Sequence, residues 1–402
     1  MQGKYDLGII GGGIVGLATA YKYQVQFPEK KIAVFEKEGA IGKHQTGRNS
    51  GVIHSGIYYK PGSYKAKNCI QGRAQLIDFA QKHNIDHDIC GKVIVATHES
   101  ELPALQRIYE RGIANEIEGI SIIGPDEIKE IEPNCEGIKA IHVPGAGIIN
   151  YVQFSEKLAE QIGKINPESQ VHMGTKILGS TEKDGLTILS SNKGNFEIER
   201  AVYCGGLQSD RLATKDGAKL DMQIVGFRGD YYELSEQGKS KVKHLIYPVP
   251  DPDFPFLGVH FTRMIDGSVE CGPNAVFSFK REGYSRTSFN LKDSLQALSF
   301  KGTWKLFGKH YKQGLEEYKR AFSKRLFLKA LQKLIPSLSM EDIQPARSGV
   351  RAQALQSDGT MVDDFKIEIV GKNIHVLNAP SPAATSSLSI ADRICSMINE
   401  EK

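Results

Sequence analysis

The chain has 402 residues, a length that predicts about two domains because one hydrophobic core rarely serves more than about 250–300 residues. Hydrophobic residues make up 40% and charged residues 24%, which excludes a disordered or collagen-like protein. The net charge is +4, from 51 basic and 47 acidic residues, and this excess is too small to indicate nucleic acid binding. Glycine is abundant, with 41 residues, and clustered glycines often mark turns that approach a ligand.

The six cysteines are widely separated and none belongs to a C-x-x-C pair, so we expect reduced and mostly buried thiols. No stretch approaches the roughly 18–20 apolar residues that span a bilayer. The first apolar run is interrupted by glycines and lacks the basic leader and cleavage site of a signal peptide. These features predict a cytoplasmic protein, or one that contacts the inner face of the cell membrane only peripherally.

The N-terminus follows the order strand, glycine-rich turn, helix, strand. An apolar strand is predicted at Tyr5–Ile10, a helix at Ile14–Phe27 and a second strand at Lys31–Glu36. Ligands of open parallel sheets bind at the carboxyl ends of such strands. The turn between the first strand and the helix is therefore the first candidate binding element.

Gly11, Gly13 and Gly16 form the pattern G-x-G-x-x-G in this turn. The first glycine permits a tight turn, the second leaves room for a pyrophosphate, and the third lets helix and strand pack closely. Glu36 ends the next strand, where its carboxylate can accept a ribose hydroxyl. The unit predicts dinucleotide binding, and its spacing is compatible with FAD or NAD. The predicted contacts are Gly11, Gly13, Ile14, Val15, Gly16, Glu36 and Lys37.

Two later strands also end in small residues, at Ala201–Gly206 and Ile374–Asn378, and a helix is predicted at Ser386–Ile398. The intervening stretches contain many Pro, Gly and aromatic residues and alternating runs such as Arg228–Leu234, which favour antiparallel strands. The sequence therefore predicts an α/β fold, α+β overall, with a Rossmann-like dinucleotide-binding domain and an inserted, mostly antiparallel or mixed β-sheet substrate domain. We assign residues 1–84, 151–225 and 341–402 to the first domain and 85–150 and 226–340 to the second.

A second motif lies close behind the dinucleotide unit, at His44–Lys60, and reads HQTGRNSGVIHSGIYYK. Its Gly, Ser, Thr and Asn content would suit an ordinary polar loop. Val52 and Ile53 between Gly51 and His54 are unusual in an exposed loop, so the segment is predicted to be buried near the cofactor.

This motif resembles the signature of L-2-hydroxyglutarate dehydrogenases and oxidases, flavoproteins of the D-amino-acid oxidase superfamily. Three further stretches match that family in the same order along the chain: Phe256–Gly267 (FLGVHFTRMIDG), Gly349–Leu355 (GVRAQAL) and Asn378–Ser387 (NAPSPAATSS). The resemblance implies non-covalent FAD and oxidation of L-2-hydroxyglutarate to 2-oxoglutarate, with electrons passed to a quinone or to O2. It also implies further cofactor contacts at Thr46, Asn49, Ser50, Gly51, Ile177, Gly205, Gly206, Pro382, Ala383, Ala384 and Thr385.

Oxidation of a 2-hydroxy acid removes a hydride from C2 and a proton from the hydroxyl group. A neutral histidine is a suitable base to accept that proton. By the resemblance, His54 is the predicted base and His260 a second polar contact and the alternative base. The two carboxylates of the substrate each favour a cation, and arginine provides a two-point grip. Arg351 is assigned to the carboxylate beside C2, and the candidates for the distal carboxylate are Tyr58, Tyr59 and Arg263, the last on the strand face opposite His260.

Residues 301–333 contain ten Lys or Arg and two Glu, interleaved with aromatic and leucine residues at helical spacing. The pattern fits amphipathic helices with a solvated basic face. It also fits a surface that docks on anionic lipid, which would suit transfer of electrons to a membrane quinone. A patch that attracts a dianionic substrate is a third interpretation.

Three other enzymes and one non-enzyme compete with the leading interpretation. Glycerol-3-phosphate oxidases share a looser S-G-V-I-H-x-G element, and amino-acid (amine) oxidases belong to the same superfamily. A nicotinamide dehydrogenase would use the same glycine turn. A nucleotide-binding module without catalysis would need none of the histidine and arginine motifs.

Overall fold

A computed structural model describes residues 2–251 and 257–400. Within these ranges the chain forms two large sheets and one small sheet, with helices on both large sheets. The helices are Ile14–Gln26, Tyr64–Lys82, Leu102–Ala114, Pro125–Ile131, Tyr151–Ile165, Ser209–Lys215, Glu236–Lys239, Leu291–Ser299, Lys301–Lys309, Tyr311–Phe322, Lys324–Leu331 and Ser387–Glu400. Short 3-10 turns occur at Gln45–Gly47, Glu99–Glu101 and Gly206–Gln208.

The first large sheet has a parallel centre, as the N-terminal pattern predicts. Gly3–Ile10 pairs in parallel with Ile32–Phe35 on one side and with Gly194–Tyr203 on the other. Gln170–His172 and Asn373–Asn378 extend the parallel part, and an antiparallel edge completes the sheet. The edge strands are Ile177–Lys183, Leu186–Ser191 and Lys366–Val370. The parallel strands end at Ile10, Phe35, Tyr203 and Asn378, so the turns that follow them meet at one edge.

The core of this part lies between the sheet and four helices. Leu7 and Val34 of the strands pack with Leu17, Leu158 and Ile394 of the helices, and all five side chains are fully buried. The glycine-rich turn therefore rests on a rigid base formed by the best-packed part of the chain.

The second large sheet is antiparallel except where Leu245–Pro248 runs parallel to Lys92–Ala96. Its other strands are Ser121–Ile123, Lys139–Val143, Met222–Leu234, His260–Arg263, Val269–Gly272, Val276–Phe277 and Ile343–Gln356. One predicted boundary is wrong. Ile343–Gln356, which we placed in the dinucleotide-binding domain, pairs along its length with Met222–Leu234 in this sheet. The long-range pairing of these two strands decides their sheet, and the sequence pattern carries no information on it.

A small third sheet joins the two regions at the second motif. Val52–Ile53 pairs with Gly147–Ile149, which in turn pairs with His87–Asp88. Among the helices of the described chain, none is long and apolar enough to cross a bilayer. All six cysteines are free thiols, as expected, and Cys69, Cys135, Cys271 and Cys395 are buried.

A buried ion pair ties the two large sheets together. Asp210, on the helix that follows Gly206, contacts the guanidinium of Arg281 and accepts the Ile224 N–H at 3.0 Å. The side chains of Asp210 and Arg281 are each only 5% exposed, so the charges stabilise each other away from water. This contact restrains the relative position of the two sheets, and the candidate site lies between them.

Candidate active site

The glycine-rich turn brings three strand ends into close contact. Gly11 has a φ of +115°, and a Cβ placed on it would overlap the carbonyl oxygen of Cys204. A Cβ on Gly16 would overlap the carbonyl oxygen of Gly11. On Gly13, by contrast, a Cβ would meet only the Thr46 Oγ1 at 3.5 Å. Gly11 and Gly16 are therefore required by the protein backbone, whereas Gly13 leaves open space above the helix.

The helix that starts at Ile14 presents an uncapped N-terminus to this space. Its N-cap residue is Gly13, which has no side chain to cap the helix, and the first turn holds no acidic residue. Among the described residues, one side-chain acceptor reaches this turn: the Thr46 Oγ1 accepts the Ile14 N–H at 3.0 Å. Free N–H groups and the positive end of the helix dipole favour a bound anion such as a pyrophosphate.

Glu36 lies beside the turn, at the position expected for a ribose contact. Its Oε2 accepts the Gly12 N–H at 2.9 Å and its Oε1 accepts the Glu38 N–H at 2.9 Å. The Thr175 N–H donates to the Glu36 carbonyl at 2.7 Å, which brings the strand that starts at buried Ile177 alongside. Glu36 and Ile177 therefore lie at the same end of the cleft.

Lys37 is committed to a charged network rather than to open space. Its Nζ contacts Glu38 at 2.6 Å and Glu282 at 3.0 Å, and it also lies 2.7 Å from the His44 Nε2. Hydrogen bonds from Lys37 and His44 lower the pKa of Glu38 to about 2. Glu38, His44 and Glu282 have the geometry of metal ligands, but the Lys37 ammonium already contacts all three of them. The side chain of Lys37 is therefore occupied by this network.

The second motif crosses from the helix N-terminus to the second sheet. The Asn49 Nδ2 donates to the Thr46 carbonyl at 2.8 Å, and its Oδ1 accepts the Gly51 N–H at 2.8 Å. Arg347 donates from its guanidinium to the carbonyls of Gly47 at 2.7 Å and Asn49 at 2.9 Å. The Asn49 side chain thus shapes the loop, and Arg347 fastens the loop to the strand Ile343–Gln356. Ser50 is half-buried between these anchors.

The turn before the last helix closes on the same loop. The Thr385 Oγ1, fully buried, accepts the His54 N–H at 3.1 Å and lies 2.9 Å from the Tyr151 hydroxyl. The Ala383 N–H donates to the Pro380 carbonyl at 2.9 Å. For the N–H groups of Ala384 and Thr385, no described residue supplies an acceptor. Pro382–Thr385 therefore offers two free donors next to His54.

Gly205 and Gly206 occupy the end of the strand Gly194–Tyr203. A Cβ on Gly205 would come within 2.5 Å of Leu212, and Gly206 has a φ of +51° and faces Gln45. Packing against a neighbouring helix accounts for Gly205, and the left-handed backbone accounts for Gly206.

His54 and His260 lie close to each other and to two basic residues, since the charge of Lys92 acts on both imidazoles and that of Arg351 acts on His260. Burial lowers the pKa of His54 to about 3, and the charges of Lys92 and His260 act in the same direction. Burial also lowers the pKa of His260 to about 4, opposed by the Gly258 hydrogen bond and assisted by the charges of Arg351 and Lys92. Both imidazoles are therefore neutral at pH 7 and able to accept a proton.

Hydrogen bonds orient the two imidazole rings. The His260 Nδ1 donates to the Gly258 carbonyl at 2.8 Å, so the Nε2 atom of the neutral ring carries the lone pair. The His54 Nε2 lies 3.5 Å from the Ser381 Oγ, beside the turn that contains Ala384. The ring of His260 stacks at a tilt on Tyr247, with centroids 4.1 Å apart.

The Tyr58 ring lies 4.7 Å from the Lys92 Nζ, and Tyr58 and Tyr59 together line a surface depression with Lys65 and Asp363. Burial raises the pKa of both tyrosines well above its usual value, so each hydroxyl remains a donor. Ser381 opposes this shift at Tyr59. Arg351 lies on the strand Ile343–Gln356 opposite Phe227, and its charge acts on His260 and Tyr231.

Arg263 does not join the other candidates. It lies on the same strand as His260 but on the opposite face, half-exposed, and its Nη2 contacts the Asp88 carboxylate at 2.9 Å. It lines a separate surface depression of about 500 Å³ with Lys243 and His244. Strand alternation explains the difference, because residues three apart point to opposite faces. Phe256, the first residue of the FLGVHFTRMIDG stretch, lies outside the described residues.

Three candidate site residues were missed by the sequence interpretation: Lys92, Tyr247 and Arg347. Lys92 begins the run KVIVA, and a charged residue at the start of an apolar strand is usually taken for a solvated end. In the structure, however, Lys92 is almost completely buried, so the usual interpretation fails at this position. Tyr247 and Arg347 carry no local signal, since their roles depend on partners distant in sequence.

Comparison with known proteins agrees with this geometry. The family model described as FAD dependent oxidoreductase matches residues 6–397. The chain belongs to this family. It is 48% identical, over 96% of its length and 97% of the relative's, to the L-2-hydroxyglutarate dehydrogenase of Indibacter alkaliphilus. It is 42% identical, over 98% of its length and 93% of the relative's, to the L-2-hydroxyglutarate dehydrogenase of Escherichia coli strain K12.

Solved structures of the same fold include an L-α-glycerophosphate oxidase from Mycoplasma pneumoniae with FAD bound. It has a TM-score of 0.79 at 22% identity and covers 98% of this chain and 95% of its own. A glycine oxidase from Geobacillus kaustophilus has a TM-score of 0.72 at 16% identity, covering 99% of this chain and 95% of its own. The predicted family resemblance, fold class, flavoenzyme class and FAD cofactor are confirmed.

The residues of the cleft fit FAD. The uncapped N-terminus of Ile14–Gln26 suits a pyrophosphate, and Glu36 suits a ribose hydroxyl. The free N–H groups of Ala384 and Thr385 suit the acceptor atoms of the isoalloxazine ring. These three features lie at the two ends of the loop that starts at Thr46.

Gly11 and Gly13 should respond differently to alanine. Gly13→Ala should leave the melting temperature of the apoprotein within about 2 °C of wild type but weaken FAD binding at least about tenfold, because its Cβ enters only the phosphate space. Gly11→Ala should destabilise the apoprotein by about 2–4 kcal/mol through backbone strain and overlap. Calorimetry and FAD titration measure both effects, and unchanged FAD affinity in Gly13→Ala would contradict the placement.

Proposed function

We propose that this enzyme oxidises L-2-hydroxyglutarate to 2-oxoglutarate. The observation that carries the proposal is the proximity of two buried, neutral histidines to the basic residues Arg351 and Lys92. A neutral imidazole can take a hydroxyl proton, and cations suit the carboxylates of an anionic hydroxy acid. The names of the relatives, at 42–48% identity over nearly the whole chain, support the same substrate.

FAD, when bound, accepts the hydride that leaves C2 of the substrate. The chain itself must hold the substrate, remove the hydroxyl proton and exclude water. Arg351 binds the carboxylate next to C2 through its guanidinium and so fixes the orientation of the hydroxyl group. The His54 Nε2 accepts the hydroxyl proton, and His260, whose free Nε2 is also an acceptor, is the alternative base.

The position of His54 supports its role as the base. Hydride and proton leave neighbouring atoms, so the base must lie close to the flavin-binding segments. His54 directly follows Val52–Ile53, and its N–H is bound by Thr385 in the turn Pro382–Thr385. His260 belongs to the substrate sheet and is fixed by the Gly258 carbonyl. His54 therefore lies next to both segments that we expect to contact FAD, the loop that starts at Thr46 and the turn Pro382–Thr385.

A substrate panel tests the activity. Under anaerobic conditions, L-2-hydroxyglutarate should bleach the visible flavin absorbance of the purified holoenzyme within seconds, whereas D-2-hydroxyglutarate should not. Glycerol 3-phosphate and L-amino acids, the substrates of the competing interpretations, should leave the spectrum unchanged. Bleaching by either of these and not by L-2-hydroxyglutarate would replace the proposal with the corresponding oxidase.

The two histidines should differ in kinetics. His54→Ala should lower kcat by roughly 10²–10⁴ with FAD retained, the usual effect of removing a general base, and His260→Ala should lower it less. Because the pKa of His54 is about 3, the base stays deprotonated in mild acid, and wild-type kcat/KM should hold from pH 7 down to about pH 5. The exposed His98→Ala serves as the control. Near-wild-type turnover in His54→Ala would assign the base elsewhere.

We also infer that the helices within residues 301–333 dock on an anionic membrane, where a quinone would be the electron acceptor. Tyr311, Leu315 and Phe322 follow one another at spacings of four and seven, and so share one face of the helix Tyr311–Phe322. Their exposed fractions are 63%, 56% and 66%, and the opposite face buries Ala321. Exposed apolar side chains among ten basic residues match the chemistry of an anionic lipid surface.

Vesicle flotation tests this surface. At low salt the holoenzyme should float with vesicles that contain 30% phosphatidylglycerol, and the double variant Leu315→Ser, Phe322→Ser should lose at least about half of the floated protein. The control Val25→Ser changes an exposed residue on the first domain. Failure of the wild-type protein to float, or equal flotation of the double variant, would remove this part of the proposal.

A further inference from the structure

Lys92 is a buried cation with unusual surroundings. It begins the strand Lys92–Ala96, between two neighbouring strands of the second sheet, and is only 1% exposed. Its Nζ lies 4.7 Å from the ring centroid of Tyr58 and 5.0 Å from that of Tyr247. Across residues 2–251 and 257–400, no carboxylate or hydrogen-bond acceptor contacts this Nζ.

The other buried basic residues of the described chain are all paired. Arg228 contacts Asp230, Arg281 contacts Asp210, and Lys65 contacts Asp363. Burial without such a partner disfavours the charged amine and lowers the pKa of Lys92 to about 7. Aromatic faces compensate only a part of the lost hydration. Within the described chain, no counter-ion offsets the cost of burying this amine, whereas an anion bound beside it would do so.

The amine lies near the two histidines, because its charge acts on both imidazoles. The hydroxyl of Tyr58, buried at the same place, also lacks a hydrogen-bond partner within the described chain. An ammonium and a phenol hydroxyl are a donor pair for one carboxylate. The two donors belong to different elements, one to the second motif and one to the substrate sheet, so they meet only in the folded protein.

We propose that Lys92 and the Tyr58 hydroxyl bind the second carboxylate of the substrate and thereby select dicarboxylic 2-hydroxy acids. The inference rests on the proposed function, in which Arg351 and His54 hold the other end of the molecule. It assigns the distal contact to a residue outside the four matching motifs, in place of Arg263, which is already paired with Asp88 on the opposite strand face. The entering carboxylate provides the counter-ion that the described residues do not supply, so the amine is fully protonated in the complex.

A pair of substrates isolates this contact. L-2-hydroxypentanoate has the five carbons of L-2-hydroxyglutarate but only one carboxylate. Lys92→Met should raise the KM for L-2-hydroxyglutarate roughly 10²-fold, the usual effect of truncating one partner of a buried charge pair, and change the KM for L-2-hydroxypentanoate less than about threefold. Lys139→Met, on the neighbouring strand and exposed, should change neither constant. Equal losses on both substrates would overturn the proposal and indicate a structural role.

A binding measurement and a second variant cover the case in which Lys92→Met folds poorly. Glutarate, a dicarboxylate without the reacting hydroxyl, should raise the melting temperature of the wild-type holoenzyme but not that of Lys92→Met. Tyr58→Phe removes one oxygen atom and should raise the KM for L-2-hydroxyglutarate roughly tenfold, again sparing L-2-hydroxypentanoate. An unchanged diacid KM in Tyr58→Phe would overturn the proposed pair even without data on Lys92.

The outcomes separate the two proposals. Wild-type enzyme that fails to oxidise L-2-hydroxyglutarate contradicts the proposed function, whereas the glutarate shift still reports whether Lys92 binds a diacid. Wild-type enzyme that oxidises it, combined with a Lys92→Met variant that retains the wild-type preference for the diacid, contradicts only the role of Lys92.

Discussion

The loop from Thr46 to His54 is the constraint on which the site depends, because it must contact both large sheets at once. At its start, the Thr46 hydroxyl binds the first N–H of the helix Ile14–Gln26. In its middle, Arg347 of the second sheet holds two of its carbonyls. At its end, Thr385 holds the His54 N–H. A shift of any anchor would move the predicted base relative to the FAD-contacting segments, and small displacements of catalytic groups have large kinetic effects.

The site combines positive charge with burial, and this combination controls the protonation of its residues. Burial disfavours the charged forms of the two histidines and of Lys92, so their pKa values lie below the usual ones. Histidine thereby remains a base, and the lysine depends on an anion for its charge. The same environment excludes cationic substrates and favours acids, which supports a hydroxy acid over an amine as the substrate.

The helix Tyr311–Phe322 exposes apolar side chains to solvent, in contrast to the buried charged groups of the site. On the helix Tyr311–Phe322, exposed aromatic and leucine side chains form one face, although the opposite face is packed on the protein. Apolar area of this kind is disfavoured in water unless another surface covers it. The basic residues around it would suit the anionic lipid surface that we propose as its partner.

The sequence by itself determined the elements whose function is local. The G-x-G-x-x-G turn, Glu36 and the motif around His54 are short segments in which backbone shape and chemistry are set by neighbouring residues. The resemblance to the family could also be recognised from the sequence, because the matching motifs occur in the same order along the chain. Only the tertiary structure decided which sheet receives Ile343–Gln356, which face of its strand Arg263 occupies, and that Lys92 is buried beside Tyr58. These features depend on contacts between residues that lie far apart in sequence. Local propensity does not determine such contacts, and the packing of the folded chain does.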